Sequence, residues 1–211
     1  SVRALVDEII VVDTGSQDRT RDIARLFDAT VLEFPWQEDF AAARNFGLDH
    51  ATGQVVLVLD ADELIAPQDH DRLQALLRRP AALTTAYRVV TRNYTPLCNL
   101  IGWQANEGQY PIEEMGTGWT PSEKVRIFPN RPRIRFSYPV HEVVGPALER
   151  EGIAIASCEV PVHHYGRMDE ALNRRKGEAY YQMGIQKLQE LGSDPGAIQE
   201  LAVQAELLGK T

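Results

Sequence analysis

Cysteine is scarce in this chain, which has only Cys98 and Cys158 among its 211 residues. The two are far apart in sequence and match none of the short spacings of zinc sites, and they are too few for a disulfide framework. Cysteine usage of this kind is typical of a reducing compartment. We therefore expect a cytoplasmic protein, with peripheral attachment at the inner membrane face left open.

Long apolar runs and basic charge are scarce as well. No run approaches the roughly 18 residues of a membrane span, and no signal peptide is visible. The formal net charge is -8, whereas general nucleic-acid binders have a basic balance. We expect no transmembrane segment and no nucleic-acid partner. Hydrophobic residues make up 44% of the chain, which is enough for a packed core.

Strand-like and helix-like segments alternate in the first part of the chain. Apolar, β-branched runs predict strands over 7–13, 29–34 and 54–60. The spacing of apolar residues predicts helices over 18–28, 40–51 and 67–79. This alternation predicts an α/β fold in which a mainly parallel, mixed sheet is flanked by helices.

The pattern changes after Pro80. Residues 95–123 are rich in Gly, Pro and Trp without a clear period, which is typical of a lid or a binding loop. The predicted elements around this loop are strands over 86–94, 124–130, 133–140 and 155–166 and a short helix within 141–152. Two helices, 169–191 and 197–209, predict a C-terminal helical extension. We place the domains at 1–168 and 169–211.

Paired carboxylates follow the third predicted strand, in the segment "QVVLVLDADE". Asp60 and Asp62 have one residue between them, and two carboxylates held together repel unless a cation neutralises them. Hard oxygen ligands favour Mg²⁺ or Mn²⁺. The alternative is that this segment is a solvated loop or a helix cap after a strand.

Three further residues could serve a ligand at the same sheet edge. Asp13 ends the first predicted strand, and its carboxylate could accept hydrogen bonds from a base or a ribose. Arg44 lies in a helix facing this edge, where it could pair with a diphosphate or a base carbonyl. Asp39 precedes that helix. The alternatives are a turn residue, a surface arginine and a helix cap, respectively.

Together, "IIVVDTGSQDRTRDIA" and "ARNFGLDHATGQVVLVLDADE" resemble the nucleotide-binding half of family 2 glycosyltransferases, which have the GT-A fold. The resemblance implies a nucleotide-diphosphate-sugar donor (a UDP-sugar is favoured), a divalent metal (Mn²⁺ or Mg²⁺) and transfer with inversion to a hydroxyl. It implies that Asp13 contacts the nucleobase and that Arg44 contacts the base or the diphosphate. It assigns Asp60 to the ribose or the metal, Asp62 to the metal and Asp39, more weakly, to the donor.

The second half resembles a bacterial branch of this family in "SEKVRIFPN", "YPVHEVV" and "VPVHHYG". An inverting transfer needs a carboxylate that takes the acceptor's proton, and we assign Glu142 of the "HE" element to this role. The alternative is a helix N-terminal glutamate that interacts with the helix dipole. If Glu142 is not the base, the carboxylates next in line are Glu113, Glu114 and Glu123.

The "HYG" element implies that His164 completes the metal or diphosphate site. Adjacent strand residues face opposite ways, so only one of His163 and His164 is expected to reach it. The alternative is a structural histidine. The family also has a strand ahead of the position of Ser1, so we expect this chain to be N-terminally incomplete.

Some questions stay open at this point. Trp103, Tyr110 and Trp119 could stack on a sugar, or they could form the loop's own small core. A metal-dependent nucleotidyltransferase and a non-catalytic module that binds a nucleotide sugar or a partner are the rival functions. The acceptor (a glycan, a lipid or a protein) and the oligomeric state are not determined by the sequence.

Overall fold

The computed structural model describes residues 1–168, 170–192 and 194–210. Asp169, the predicted start of the C-terminal extension, and Thr211, its end, lie outside the described residues.

The described chain forms eight strands and six α-helices. The strands are β1 (Ile10–Asp13), β2 (Thr30–Glu33), β3 (Val55–Leu57), β4 (Glu63–Leu64), β5 (Thr85–Thr95), β6 (Gln104–Ala105), β7 (Gly118–Pro129) and β8 (Ala154–His164). The helices are α1 (Thr20–Leu26), α2 (Phe40–His50), α3 (His70–Leu77), α4 (Gly145–Arg150), α5 (Glu170–Leu191) and α6 (Pro195–Leu207). The α/β class and the C-terminal helices predicted from the sequence are confirmed.

The sheet is mixed, but parallel pairs do not predominate in it. The larger sheet has the order β3-β7-β5-β8-β4, with β6 beside β7. Among the described strands of this sheet, only β5 and β8 pair in parallel, and the other pairs are antiparallel. For β5 and β7 the reason lies in their connection: residues 96–117 contain β6 but no crossover helix, and a parallel pair needs such a crossover. The alternation that predicted parallel strands covers only the short strands of the first part.

Strands β1 and β2 form a separate parallel pair in the described chain. A cavity of about 1290 Å³ separates β1 from β3. Apolar side chains from both strands line it, including Ile10, Val12 and Val56, and it extends to Arg44 and Asp60. The predicted strands are thus present, but β1 does not continue the sheet that contains β3.

The start of helix α2 is fixed by its N-cap residue, and its position is fixed by its inward-facing residues. The Asp39 carboxylate accepts a hydrogen bond from the backbone N–H of Ala42 at 2.9 Å, which satisfies one of the free N–H groups of the first turn. Ala41 and Leu48 are buried against Phe128 of β7 and its neighbours. This packing fixes α2 over the sheet and holds Arg44 beside the end of β3.

One predicted element of the second half takes another form. The strand predicted over 133–140 is not formed, and a single bridge joins Ser137 to Val143 instead. The apolar residues that suggested a strand, such as Ile134 and Phe136, are buried in the core without sheet pairing. Apolar alternation alone does not separate these two cases.

The 95–123 segment is more ordered than a loop, because it contains β6 and the start of β7. Tyr110 and Trp119 are buried, and the Arg92 guanidinium lies 4.6 and 4.7 Å from their ring centres. These two rings thus pack against a residue of β5, outside the segment, and Tyr110 also donates to Asp69 at 2.9 Å. Trp103 is half-buried.

The C-terminal helices α5 and α6 pack on each other through Lys187, whose Nζ lies 2.8 Å from Glu200 Oε2. They also contact the rest of the chain, since Tyr180 meets the Phe40 ring edge-on at 5.7 Å. None of the helices in the described part of the chain has both the length and the apolarity needed to cross a membrane. The domain boundary at 168/169 stays a prediction.

A buried ion pair links the middle of the sheet to the turn after β3. Arg126 of β7 and Glu63 of β4 have side chains that are each 2% exposed, and the Arg126 guanidinium donates to a Glu63 carboxylate oxygen. Arg126 also donates to the Val58 carbonyl at 3.3 Å. Charges this deep are tolerated only when they are paired.

We therefore expect Arg126→Met to lower the free energy of unfolding by about 3–5 kcal/mol, because it leaves the Glu63 charge buried alone. The double variant Arg126→Met/Glu63→Gln should recover most of this loss, since the neutral amide that replaces the carboxylate still accepts a hydrogen bond. Urea denaturation measures both. Arg88→Met is the control, because its pair with Glu123 is half exposed and should contribute less than about 1 kcal/mol. Equal effects of Arg88→Met and Arg126→Met would contradict the interpretation.

Candidate functional site

The paired aspartates lie in a tight turn between β3 and β4. The Asp60 carbonyl accepts the Glu63 N–H at 3.0 Å, and the Glu63 carboxylate in turn accepts the Asp60 N–H at 2.9 Å. The two aspartates therefore lie in a turn and do not follow the alternation of a strand. Because they are in a turn, each carboxylate has its own surroundings.

Asp60 belongs to a charged cluster centred on Arg44. The guanidinium donates from one terminal nitrogen to Asp60 Oδ1 and from Nε to Glu142 Oε1, both at 2.6 Å. Lys124 Nζ lies 3.8 Å from the other Asp60 oxygen. The fold thus brings together Arg44 of α2, Asp60 after β3 and Glu142 before α4, three residues that the sequence assigned to one site.

The cluster stabilises the charged form of its members. Burial acts to raise the pKa of Asp60, but Arg44, Lys124 and Arg126 outweigh it and bring the pKa to about 2. Burial likewise acts to lower the pKa of Arg44, and Asp60 and Glu142 reverse this and raise it. Asp60 and Arg44 are therefore both ionised at neutral pH, and the Arg44 charge is already engaged by two carboxylates.

Asp62 faces His164 instead. Asp62 Oδ2 lies 3.4 Å from His164 Nε2, and the Asp62 carbonyl accepts the Tyr165 N–H at 3.1 Å. Gly166 makes this approach possible, since a Cβ there would lie 2.5 Å from both Asp62 Oδ2 and His164 Nε2. The "HYG" glycine is thus required by the space between the two side chains.

The two adjacent histidines point in opposite directions, as strand geometry requires. His163 is fully buried, and its Nδ1 lies 2.8 Å from the Tyr94 hydroxyl. Burial, with help from Arg92, lowers the pKa of His163 to about 4, so this ring is neutral. His164 is the one of the pair that the structure places beside Asp62.

Asn93 of β5 fixes the orientation of His164. Its Nδ2 donates to the Thr91 and Thr120 carbonyls and to Ser122 Oγ, so its Oδ1 is the acceptor. His164 Nδ1 lies 2.8 Å from this oxygen and must be the donor. In the neutral ring, Nε2 therefore carries a lone pair directed at Asp62.

The remaining candidates have local partners. Asp13 is buried, accepts the Ser16 N–H at 3.2 Å, and lies 3.8 Å from Arg21. Its hydrogen bond with Ser16, the largest effect, and the nearby Arg21 lower its pKa against the effect of burial. Asp39 caps α2 as described. Their contacts with a donor stay predictions.

The three carboxylates considered as substitutes for Glu142 lie in other surroundings. Glu113 is buried in the 95–123 segment. Glu114 accepts backbone N–H groups of Gly108 and Tyr110, and Glu123 pairs with Arg88 across two strands. Glu142, in contrast, is held directly in the Arg44 cluster.

Several residues at the site were not identified from the sequence. Lys124, Asn93 and Gly166 lie in segments whose elements were predicted, but nothing in those segments indicates what their side chains would face. Tyr180 of α5 is close as well. Burial raises its pKa, and the carboxylates of Asp60, Glu142 and Asp62 add to the effect. Only the tertiary fold brings these residues to the aspartates.

Within the described residues there is no group of three or more His, Cys, Asp or Glu side chains that could hold a metal by themselves. Asp62 and His164 offer two ligand atoms. A metal held here would need its remaining ligands from Asp60, from water or from the substrate.

The solved structures with similar folds are distant. The match with Staphylococcus aureus TarS covers 95% of this chain and 36% of TarS, with 14% identity and a TM-score of 0.47. The second structure is glucosyl-3-phosphoglycerate synthase from Mycobacterium tuberculosis, solved with Mn²⁺, UDP and glucosyl-3-phosphoglycerate. The match covers 85% of this chain and 67% of the synthase, with 16% identity and a TM-score of 0.46. These scores are too low to carry an inference about this chain.

Curated relatives are nearer in sequence. A TPR repeat-containing protein of Synechococcus elongatus is 36% identical over 181 residues, which are 83% of this chain and 40% of that protein. The glycosyltransferase SunS of Bacillus subtilis is 32% identical over 80 residues, 37% of this chain and 19% of SunS. This chain thus spans less than half of the length of either relative.

The sequence model of Glycosyl transferase family 2 matches residues 1–135. This match covers β1 to β7 and includes Arg44, Asp60 and Asp62, and it confirms the family resemblance seen in the sequence. The chain belongs to glycosyl transferase family 2.

Proposed function

We propose that this chain transfers a sugar, with inversion, from a nucleotide-diphosphate sugar to a hydroxyl of a glycan, a lipid or a protein, and that it requires Mn²⁺ or Mg²⁺. A UDP-sugar is the favoured donor. The observation that carries the proposal is the meeting of Arg44, Asp60 and Glu142 with the Asp62–His164 pair in a chain of this family. A cytoplasmic location, with peripheral attachment at the inner membrane face open, is part of the proposal.

The residues present fit a divalent ion. Asp62 Oδ2 and His164 Nε2 lie 3.4 Å apart, which is close to the spacing of about 3.0 Å between two neighbouring ligands of one small divalent ion. Gly166 keeps a side chain out of this space. Asn93 fixes the ring nitrogen that faces it. We assign Asp62 and His164 to the metal and Asp60 to the metal or the ribose.

The ion, when bound, would supply positive charge to the departing diphosphate. The chain itself provides Arg44, which can exchange its bond with Asp60 or Glu142 for a bond with a diphosphate oxygen. Asp13 and Asp39 are assigned to the donor, Asp13 to its nucleobase.

Glu142 is assigned as the general base. Arg44 holds one carboxylate oxygen at 2.6 Å, and the second oxygen takes the proton of the acceptor hydroxyl as that hydroxyl attacks the sugar. The side chain is 12% exposed, so the proton acceptor is shielded from bulk water. Inversion follows from a single displacement of this kind.

The rival functions have less support. A nucleotidyltransferase is not favoured by membership of this family. A module that only binds a nucleotide sugar would show the same donor contacts but would have no need of a base, so the behaviour of Glu142 separates the two.

The metal assignment predicts that Gly166→Ala abolishes the Mn²⁺-dependent part of UDP binding, because the added Cβ would force Asp62 and His164 apart. Asp62→Asn, which removes a ligand charge without a change of shape, should have the same effect. Calorimetry with UDP, with and without Mn²⁺, measures this. Gly53→Ala is the control, since the nearest atoms to its Cβ lie 3.6 Å away. If both site variants keep the Mn²⁺-dependent affinity, the ligand assignment is wrong.

The base assignment predicts that Glu142→Gln lowers turnover on the order of a hundredfold or more. UDP should still bind at least as tightly, because Arg44 is freed from one carboxylate. Loss of turnover with binding retained identifies an interaction made in the transition state.

The measurement is UDP release from UDP-sugars in the presence of Mn²⁺, with water in place of the unknown acceptor, beside calorimetry of UDP binding. Glu149→Gln on the exposed side of α4 makes the same chemical change outside the cluster and should leave both values unchanged. Near-normal turnover of Glu142→Gln would place the base elsewhere.

A further inference from the structure

The segment that carries Glu142 is a short loop closed at its base. Ser137 and Val143 exchange two backbone hydrogen bonds, at 2.9 and 3.1 Å, and residues 138–142 lie between them. The backbone of Tyr138 has a φ of 76° and that of His141 a φ of 50°. The loop thus contains two of the four non-glycine residues with positive φ in the described chain.

Such a backbone is unfavourable for residues with a side chain. The left-handed region is rarely occupied by bulky residues such as tyrosine, and strained residues persist only where surrounding contacts fix them. The conformation of this loop therefore requires partners outside the loop.

Two loop residues without a positive φ, Pro139 and Val140, are held by the body of the protein. The Pro139 carbonyl accepts the N–H of Phe40, the first residue of α2, at 2.8 Å. Val140 is 2% exposed and belongs to the core. These contacts fix the middle of the loop, but they do not touch the two strained side chains.

The two strained residues are the ones that the C-terminal helices contact. Lys187 Nζ of α5 lies 5.0 Å from the centre of the Tyr138 ring, on its face. Gln204 Nε2 of α6 lies 3.0 Å from His141 Nε2. Lys187 is buried and also pairs with Glu200 of α6, so the cation over Tyr138 is itself held in place.

We propose that α5 and α6 hold the 138–142 loop in its strained conformation, with Lys187 and Gln204 as positioning residues that keep Glu142 against Arg44. The importance of this for catalysis rests on the proposed function of Glu142. The conformational part does not, because the loop and its contacts exist whether or not Glu142 is the base. The helical extension is then a component of the site rather than an appendage.

The test uses the whole chain and two variants, Gln204→Met and Lys187→Met, which keep side-chain length and remove the polar contact. Amide hydrogen exchange by NMR is followed at Ser137 and Val143, which close the loop, relative to amides of β5 and β7 in the same sample. We expect exchange at the loop amides to rise about threefold to tenfold in each variant. Turnover should fall by a similar factor, with UDP affinity unchanged.

Two controls separate positioning from general loosening. Lys187→Arg keeps a cation that stacks on a tyrosine ring and should retain loop protection and turnover. Gln199→Met makes the same substitution at an exposed position of α6 and should change neither value.

Unchanged exchange at Ser137 and Val143 in both Met variants would overturn the proposal. An equal rise at the β5 and β7 amides would also overturn it, because the helices would then stabilise the chain as a whole. Failure of the proposed role of Glu142 would give a different result. Glu142→Gln would keep normal turnover, while amide exchange at Ser137 and Val143 would still rise in Gln204→Met and Lys187→Met.

Discussion

The site depends on the position of Glu63, which the buried Arg126 charge fixes. One Glu63 oxygen accepts from Arg126, and the other accepts the Asp60 N–H at 2.9 Å. The Glu63 backbone pairs with His164 in the β4–β8 register. Through this one carboxylate, the sheet interior determines the turn that contains Asp60 and Asp62, and it sets that turn against the histidine. A buried ion pair is weak support for stability in general, but here it has a second role, since its geometry determines which carboxylates meet which partners.

Charge balance in the cluster constrains how a donor can bind. Arg44 contacts two carboxylates at 2.6 Å, and Lys124 adds a second cation near Asp60. An incoming diphosphate brings more negative charge, so it can be accommodated only if Arg44 changes partners or if a cation arrives with it. In the proposed function, the added cation binds at the Asp62–His164 pair. On that proposal the two halves of the site are complementary: one exchanges an existing positive charge, and the other accepts a new one.

The sequence was most informative where chemistry and local structure coincide. Helix α2 with its Asp39 cap and the opposite directions of His163 and His164 follow from rules that act over a few residues. The interpretation was wrong where partners come from far along the chain. Nothing near 133–140 indicates that its apolar residues enter the core without pairing, and strand alternation in the first part does not reveal that β7 returns antiparallel beside β3. Asn93, Lys124 and Gly166 could be identified as site residues only from the structure, in which the fold places them near the aspartates.

The placement of Glu142 shows why the family's sheet alone does not determine the site. Glu142 follows a residue with a φ of 50°, and a chain free to relax would leave that region. Within the loop the core holds Pro139 and Val140, which fixes where the loop lies but not the rotation of the backbone on either side of them. That rotation decides whether the Glu142 side chain faces Arg44. The family match ends at residue 135, so the residues that determine this orientation, from the loop itself to α5 and α6, lie in the part of the chain beyond the match. The orientation of Glu142 is therefore determined outside the matched part of the chain, whereas Asp60 and Asp62 lie within it.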